Sequence, residues 1–230
     1  MKPNIYYIRA RLFPAILTAI PVVILYYFLL GTRLTELVHY VLALPIILHL
    51  TIGSALVYAM TLVNRFLGKE IFQAVFFKNE MDMPTTTYLL YSNTALGLDM
   101  QRMIRQKIQT DFSILLLTDA EVNNNPEEAR KQIVFAVSQI RNKTRDNRLL
   151  LQHNYEYGFM RNFLGGSIFA LITCLVNLYI FKYHIPNPYA FNVSIILAAG
   201  YLLFILCSKW LIHRHARAYA RVLFEQYLHT

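Results

Sequence analysis

Charge is scarce in this 230-residue sequence: 15% of the residues are charged, against 56% that are hydrophobic. A soluble domain carries about 25% charged residues, and a chain this small cannot hide so much apolar surface from water. Mean hydropathy is +0.38. Two cysteines, Cys174 and Cys207, exclude a disulfide scaffold, and both lie in apolar runs where a thiol acts as a small hydrophobe. Gly and Pro, eight of each, are too few and too scattered for a collagen-like or low-complexity chain. Enzyme signatures are missing as well. There is no Walker A loop, dinucleotide fingerprint, H-E-x-x-H, G-x-S-x-G or CxxC pair. His213 and His215 are two apart, so on a helix they do not face each other and make no metal site. The sequence therefore predicts neither enzymatic activity nor a cofactor.

What is present is four long apolar runs, at 12–30, 37–63, 163–181 and 191–212. Each reaches the roughly 20 residues that a spanning helix needs. They are continuously apolar rather than alternating, which favours helices over barrel strands. None holds a carboxylate, which argues against an aspartyl intramembrane protease or a carboxylate-based pump. The predicted fold is an all-α membrane protein with four transmembrane helices arranged as two hairpins. A tail and first hairpin occupy 1–63, a cytoplasmic domain 64–162, a second hairpin 163–212 and a C-terminal helix 213–230.

Lys and Arg set the orientation. Twenty of the 22 lie in the N-terminal tail, the middle segment and the C-terminal tail; Arg33 and Lys182 alone lie in the two short connections. Both termini and the middle segment are thus predicted to be cytoplasmic, in a plasma membrane and most simply a bacterial inner membrane. The net charge of +9 follows from this bias, so it gives no direct support for nucleic acid as a partner. Tyr26 and Tyr27, then Tyr179, Tyr183 and Tyr189, fall at outer span ends, and Trp210 falls at an inner one.

Within the middle segment, 64–77 is predicted to prolong the second span. The stretch 85–91, rich in Thr and Tyr, reads as a short strand that 113–117 could pair as a β-hairpin. Met100, Met103, Ile104, Ile108 and Phe112 recur at helical spacing over 98–112. Thr118 and Glu121 form a capping-box pattern. Asn125, Pro126, Glu127 and Glu128 open a helix over 126–143 with one apolar face. Residues 148–162 lead into the third span, although Gly158 disfavours helix there. The tail after Trp210 reads as helix to Tyr227.

Four features are candidate sites. His49 is an ionisable group at membrane depth. It is a gate or proton-sensitive position, or a neutral imidazole bonded to a neighbouring helix near Pro45. Gly166, Ala170, Cys174 and Asn177 share one stripe of the third span, suited to helix packing inside one subunit or to an oligomer contact. Pro21 and Pro45 interrupt spans one and two, as kinks or as part of a transport site. Arg141, Lys143, Arg145 and Arg148 form a basic surface for a partner or an anionic ligand, or complement a helix C-terminus and anionic lipid. Arg102, Arg105 and Lys107 form a weaker patch.

Two membrane hairpins around a small helical module without catalytic signatures resemble the four-span sensors and effectors of bacterial antiphage defence. The resemblance is one of overall plan, covers the whole chain and rests on no motif. It implies a self-assembling membrane protein, a homo-oligomer in contact with lipid, that answers a cytoplasmic protein partner or signal. The sequence leaves three functions open: such a sensor or effector, a scaffold that tethers a soluble partner, and a channel or transporter.

Overall fold

The computed structural model describes residues 5–31, 44–77 and 79–230. All regular structure among them is helical, and four helices are long and apolar enough to cross a membrane. A helical turn (Ile5–Tyr7) and a wide π turn (Ile8–Leu12) lead into α1 (Phe13–Tyr26), which ends in a second wide turn (Tyr27–Gly31). The first wide turn has a local cause. Pro14 has no N–H and its ring crowds the carbonyl four residues back, so the turn opens and Phe13 N–H donates to Ile8, five back. Helix α2 (Leu44–Leu67) continues through a wide turn (Gly68–Gln73) and a last helical turn (Ala74–Phe76). The connection with Arg33 and the start of the second apolar run lie outside the described residues, as does the side chain of His49.

A one-turn helix, α3 (Pro84–Thr87), precedes α4 (Leu98–Phe112), α5 (Asp119–Asn124) and α6 (Pro126–Lys143). Helices α4 and α6 occupy the stretches that periodicity predicts. At the head of α5 the Glu121 carboxylate accepts from Thr118 N–H at 2.8 Å and from its hydroxyl at 2.7 Å. Helix α7 (Arg148–Tyr183) runs unbroken for 36 residues. Gly158 does not interrupt it, and its missing side chain has a use: a Cβ there would lie 3.0 Å from that of Ala10. Helix α8 (Pro188–Leu206) starts at Asn187, whose Oδ1 accepts from Ala190 N–H at 3.0 Å. The apolar run 191–212 is not one helix. Cys207, at φ −83° and ψ 1°, leaves the helical path, and α9 (Ser208–Leu228) starts afresh.

The chain divides into two compact units. The first draws on 1–72 and 158–209. Its inside is rich in small and polar side chains, beside large apolar ones such as Leu164 and Phe181, and its outside is apolar. Ala10, Ala15, Thr18, Asn64, Asn162, Ala170, Cys174 and Asn177 are buried, whereas Leu50, Tyr58, Ile196 and Leu203 are exposed. That inversion suits a bundle whose solvent is hydrocarbon, where small residues admit close approach and polar ones bond between helices. Backbones come close at Gly165: a Cβ there would sit 2.3 Å from Gly68 N and 2.5 Å from Asn64 O.

The second unit draws on 73–157 and 210–230. Ile104 and Ile108 of α4, Ile133, Val137 and Ile140 of α6, and Leu223, Phe224 and Tyr227 of α9 fill its core. Asp111 ties the three helices: its carboxylate accepts from Lys143 Nζ at 2.7 Å and Tyr227 Oη at 2.9 Å, with Lys107 at 3.8 Å. The Lys143 hydrogen bond, acting against partial burial and joined by Tyr227 and Lys107, holds this carboxyl below the ordinary carboxylate range.

The β-hairpin expected at 85–91 and 113–117 is absent. Met83 is extended and Pro84 takes the first helical position, so the chain turns into α3 instead. The backbone beyond α3 is satisfied without a ladder. Gln101 Nε2 donates to the carbonyls of Tyr88 at 2.8 Å and Leu90 at 3.2 Å, and also to that of Asn93. Arg105 donates to Leu89 O at 2.7 Å and to Leu117 O. Two buried side chains of α4 thus do the work that strand pairing would have done.

Candidate functional site

The site begins with two prolines. Pro14 and Pro21 lie seven residues apart, two turns, so they share a face of the first span. Neither has an N–H, which leaves the carbonyls four residues earlier, Ala10 and Leu17, without a helical donor. An unpaired carbonyl in hydrocarbon is costly. Both carbonyls find a side chain from another helix. Asn162 Nδ2 of α7 donates to Ala10 O at 2.6 Å, and Tyr201 Oη of α8 donates to Leu17 O at 2.7 Å. Between them, Thr18 Oγ1 donates to Pro14 O at 2.9 Å and accepts from Asn64 Nδ2 of α2 at 2.7 Å. One turn further on, Asn177 Nδ2 donates to Pro21 O at 2.9 Å.

The result is a polar seam along the first span, reached by side chains of α2, α7 and α8. Asn64 and Asn177 are 0% exposed and Asn162 is 1% exposed. Directional bonds from three helices to one fix the rotation and depth of each. The Oδ1 atoms of all three asparagines are buried and accept no hydrogen bond from the described residues. The seam holds neither a charge nor a nucleophile. Among the described residues, no group of three His, Cys, Asp or Glu is placed to hold a metal.

No family model, curated protein or solved structure matches this chain.

The residues singled out from sequence fall into different places. Ala170, Cys174 and Asn177 are fully buried, and a Cβ on Gly166 would meet the Asn64 side chain at 2.3 Å. The chain's own helices cover this stripe. Pro21 belongs to the seam, whereas Pro45 and His49 lie in α2 with side chains outside the described residues.

The basic residues do not converge. Arg141 donates to Thr85 Oγ1 at 3.3 Å and Lys143 is bound to Asp111. Arg145, paired at 3.8 Å with the exposed Asp146, and Arg148 face outward. The weaker patch divides too, since Arg105 is buried, Lys107 approaches Asp111 and Arg102 stays outside. Sequence reasoning missed Thr18, Asn64, Asn162 and Tyr201. A signal for their partners was there: a proline inside an apolar run marks the carbonyl four residues before it.

Proposed function

We propose that this chain is a non-enzymatic integral membrane sensor or effector. Its four spans form two hairpins around a cytoplasmic domain, with both termini cytoplasmic, in the plasma membrane of a bacterium. The protein acts as a homo-oligomer. The domain receives a partner protein or an anionic signal and couples it to the membrane helices. The likeness of overall plan adds antiphage defence as the setting.

The observation that carries this reading is α7. One unbroken helix extends from Arg148 to Tyr183 and brings both Asn162 and Asn177 to the seam. Turning α7 by one residue, about 100°, would take both amides off their carbonyls. A ligand can shift such a helix only by its difference in affinity for the two arrangements, typically about 1–3 kcal/mol. Interhelical hydrogen bonds in membranes are worth about 0.6 kcal/mol each and at most about 1.7. The two hydrogen bonds that α7 makes to the first span lie within that scale, which supports a signal acting through the seam.

A photo-crosslinking amino acid placed at the exposed Asp146, between Arg145 and Arg148, in growing cells tests the proposal. The expected adduct is one cytoplasmic protein, lost on Arg145→Glu/Arg148→Glu, with membrane insertion unchanged. Crosslinks to lipid alone, or an adduct indifferent to charge reversal, would defeat it. An adduct that forms while the seam stays fixed, followed by crosslinking cysteines across α1 and α7, would leave a scaffold. Ion flux from the purified chain alone in liposomes would move the reading to a channel.

A further inference from the structure

Trp210, Arg214, Arg217 and Arg221 follow one another on α9 at spacings of four, three and four, which makes one stripe of the helix. All four are exposed, and Ile212, Ala216, Ala220, Leu223 and Phe224 are buried on the other side. The stripe therefore takes no part in the core. It is nonetheless ordered by contacts within α9. The Arg214 guanidinium lies over the Trp210 ring, 5.3 Å from its centroid. Arg217 Nε donates to His213 O at 3.2 Å, and Arg221 Nε donates to Glu225 Oε1 at 3.1 Å. Each contact uses a small part of a guanidinium that has five N–H donors. Glu225 is the first acidic residue of α9, after seventeen residues without one.

Three ordered arginines in a row call for phosphate oxygens, which a guanidinium binds in bidentate fashion. Trp210 indicates where the phosphates come from. It stands four residues after the end of the apolar helix α8, no more than about 14 Å of chain. An exposed indole at such a position prefers the boundary between hydrocarbon and head groups. A nucleic-acid strand would need aromatic rings interleaved along the stripe, and this stripe has one, at its span end.

We propose that the stripe of Trp210, Arg214, Arg217 and Arg221 binds the phosphate head groups of anionic phospholipid. The proposal rests on the membrane reading above. It makes the lipid composition of the leaflet a ligand of α9, distinct from any partner of the Arg145 surface.

Trp210 is the one tryptophan in the chain, so it reports on its own site. The full chain is reconstituted in phosphatidylcholine vesicles with one lipid in five replaced by brominated phosphatidylglycerol or by brominated phosphatidylcholine. Since each arginine near an anionic surface enriches that lipid by up to roughly fivefold, and full local replacement of one lipid in five is also a factor of five, brominated phosphatidylglycerol should quench Trp210 about two to five times more. Arg214→Gln/Arg217→Gln/Arg221→Gln should bring the two lipids to parity, and so should raising the salt to about 1 M, where the screening length falls to about 3 Å. Equal quenching in the unaltered chain, or a preference that survives the triple change, overturns the proposal. Loss of the preference on adding inorganic phosphate or a short oligonucleotide would assign the stripe to a soluble anion and overturn it too. A chain that does not float with either vesicle defeats the membrane reading itself, a result separate from floating with equal quenching.

Discussion

Tyr201 shows how one proline in α1 can dictate a residue as far off in sequence as α8. Its hydroxyl has a partner at Leu17 O because Pro21 supplies no N–H there. Tyr201→Phe should cost about 0.6–1.7 kcal/mol in an unfolding assay in bicelles, the range for interhelical bonds in membranes. The pairing argument makes a sharper claim. With Pro21→Ala in place the helix can satisfy Leu17 itself, so Tyr201→Phe should then cost close to nothing. Equal costs in both backgrounds would mean that the tyrosine contributes by filling space and not by its hydroxyl. Asn162 and Pro14 stand in the same relation through Ala10 O. The seam was half legible in the sequence. Asn177 stood out as an amide inside an apolar run, and Pro21 as a break in a helix. Asn64 and Asn162 sit at the edges of their runs and read as ends, and Tyr201 reads as one more apolar residue. Nothing in a hydropathy pattern shows that a carbonyl lacks its donor.

Elements were most legible where periodicity or caps speak alone, as in α4 and in α6 behind Asn125 and Pro126. They were least legible where one residue of another element supplies the hydrogen bonds. Residues 85–91 have strand composition, yet Gln101 and Arg105 take up the carbonyls of Tyr88, Leu89, Leu90 and Asn93. Gln101→Leu should therefore raise amide exchange across 88–96 and cost about 1–3 kcal/mol, the price of leaving buried carbonyls unpaired. Unchanged exchange there would show that the turn holds itself.

Helices α4, α6 and α9 are joined differently, through the Asp111 carboxylate, which is 18% exposed. Its folded pKa is depressed, so the unfolded chain takes up the proton more readily. The stabilisation is then complete above the ordinary carboxylate pKa of about 3.9 and is lost as pH falls through the lower folded value. Asp111→Asn should destabilise by about 1 kcal/mol at neutral pH, and the gap from the unaltered chain should close below about pH 4. A gap that stays constant down to pH 3 would remove Asp111 as its source.

At the scale of the whole molecule, orientation and assembly are separate questions, and the glycines bear on the second. Orientation rests on twenty of the 22 Lys and Arg lying in three segments. In a cysteine-free background, Tyr189→Cys should react with an impermeant thiol reagent added outside and Asn124→Cys should not; labelling at 124 would invert the topology. Assembly was expected to involve the stripe of Gly166, Ala170, Cys174 and Asn177, inside one subunit or between two. The stripe is fully covered by the chain itself, and Gly165 beside it approaches backbone, where a Cβ would sit 2.3 Å from Gly68 N. Backbone on a packed helix cannot swing aside as the end of a side chain can. Gly165→Ala must therefore push α2 and α7 apart, and it should lower thermal stability by about 1–3 kcal/mol, as overpacking does. Gly200 is the control, since a Cβ there meets nothing within 4 Å. Gly200→Ala should be neutral or stabilising by up to about 1 kcal/mol, the difference in helix propensity. Native mass analysis decides what the stripe is for. If it holds one subunit together, the folded fraction of Gly165→Ala keeps the stoichiometry of the unaltered chain while melting earlier. If Gly165→Ala melts normally but runs as a smaller species, the helices open in the assembled protein and the same face serves two copies.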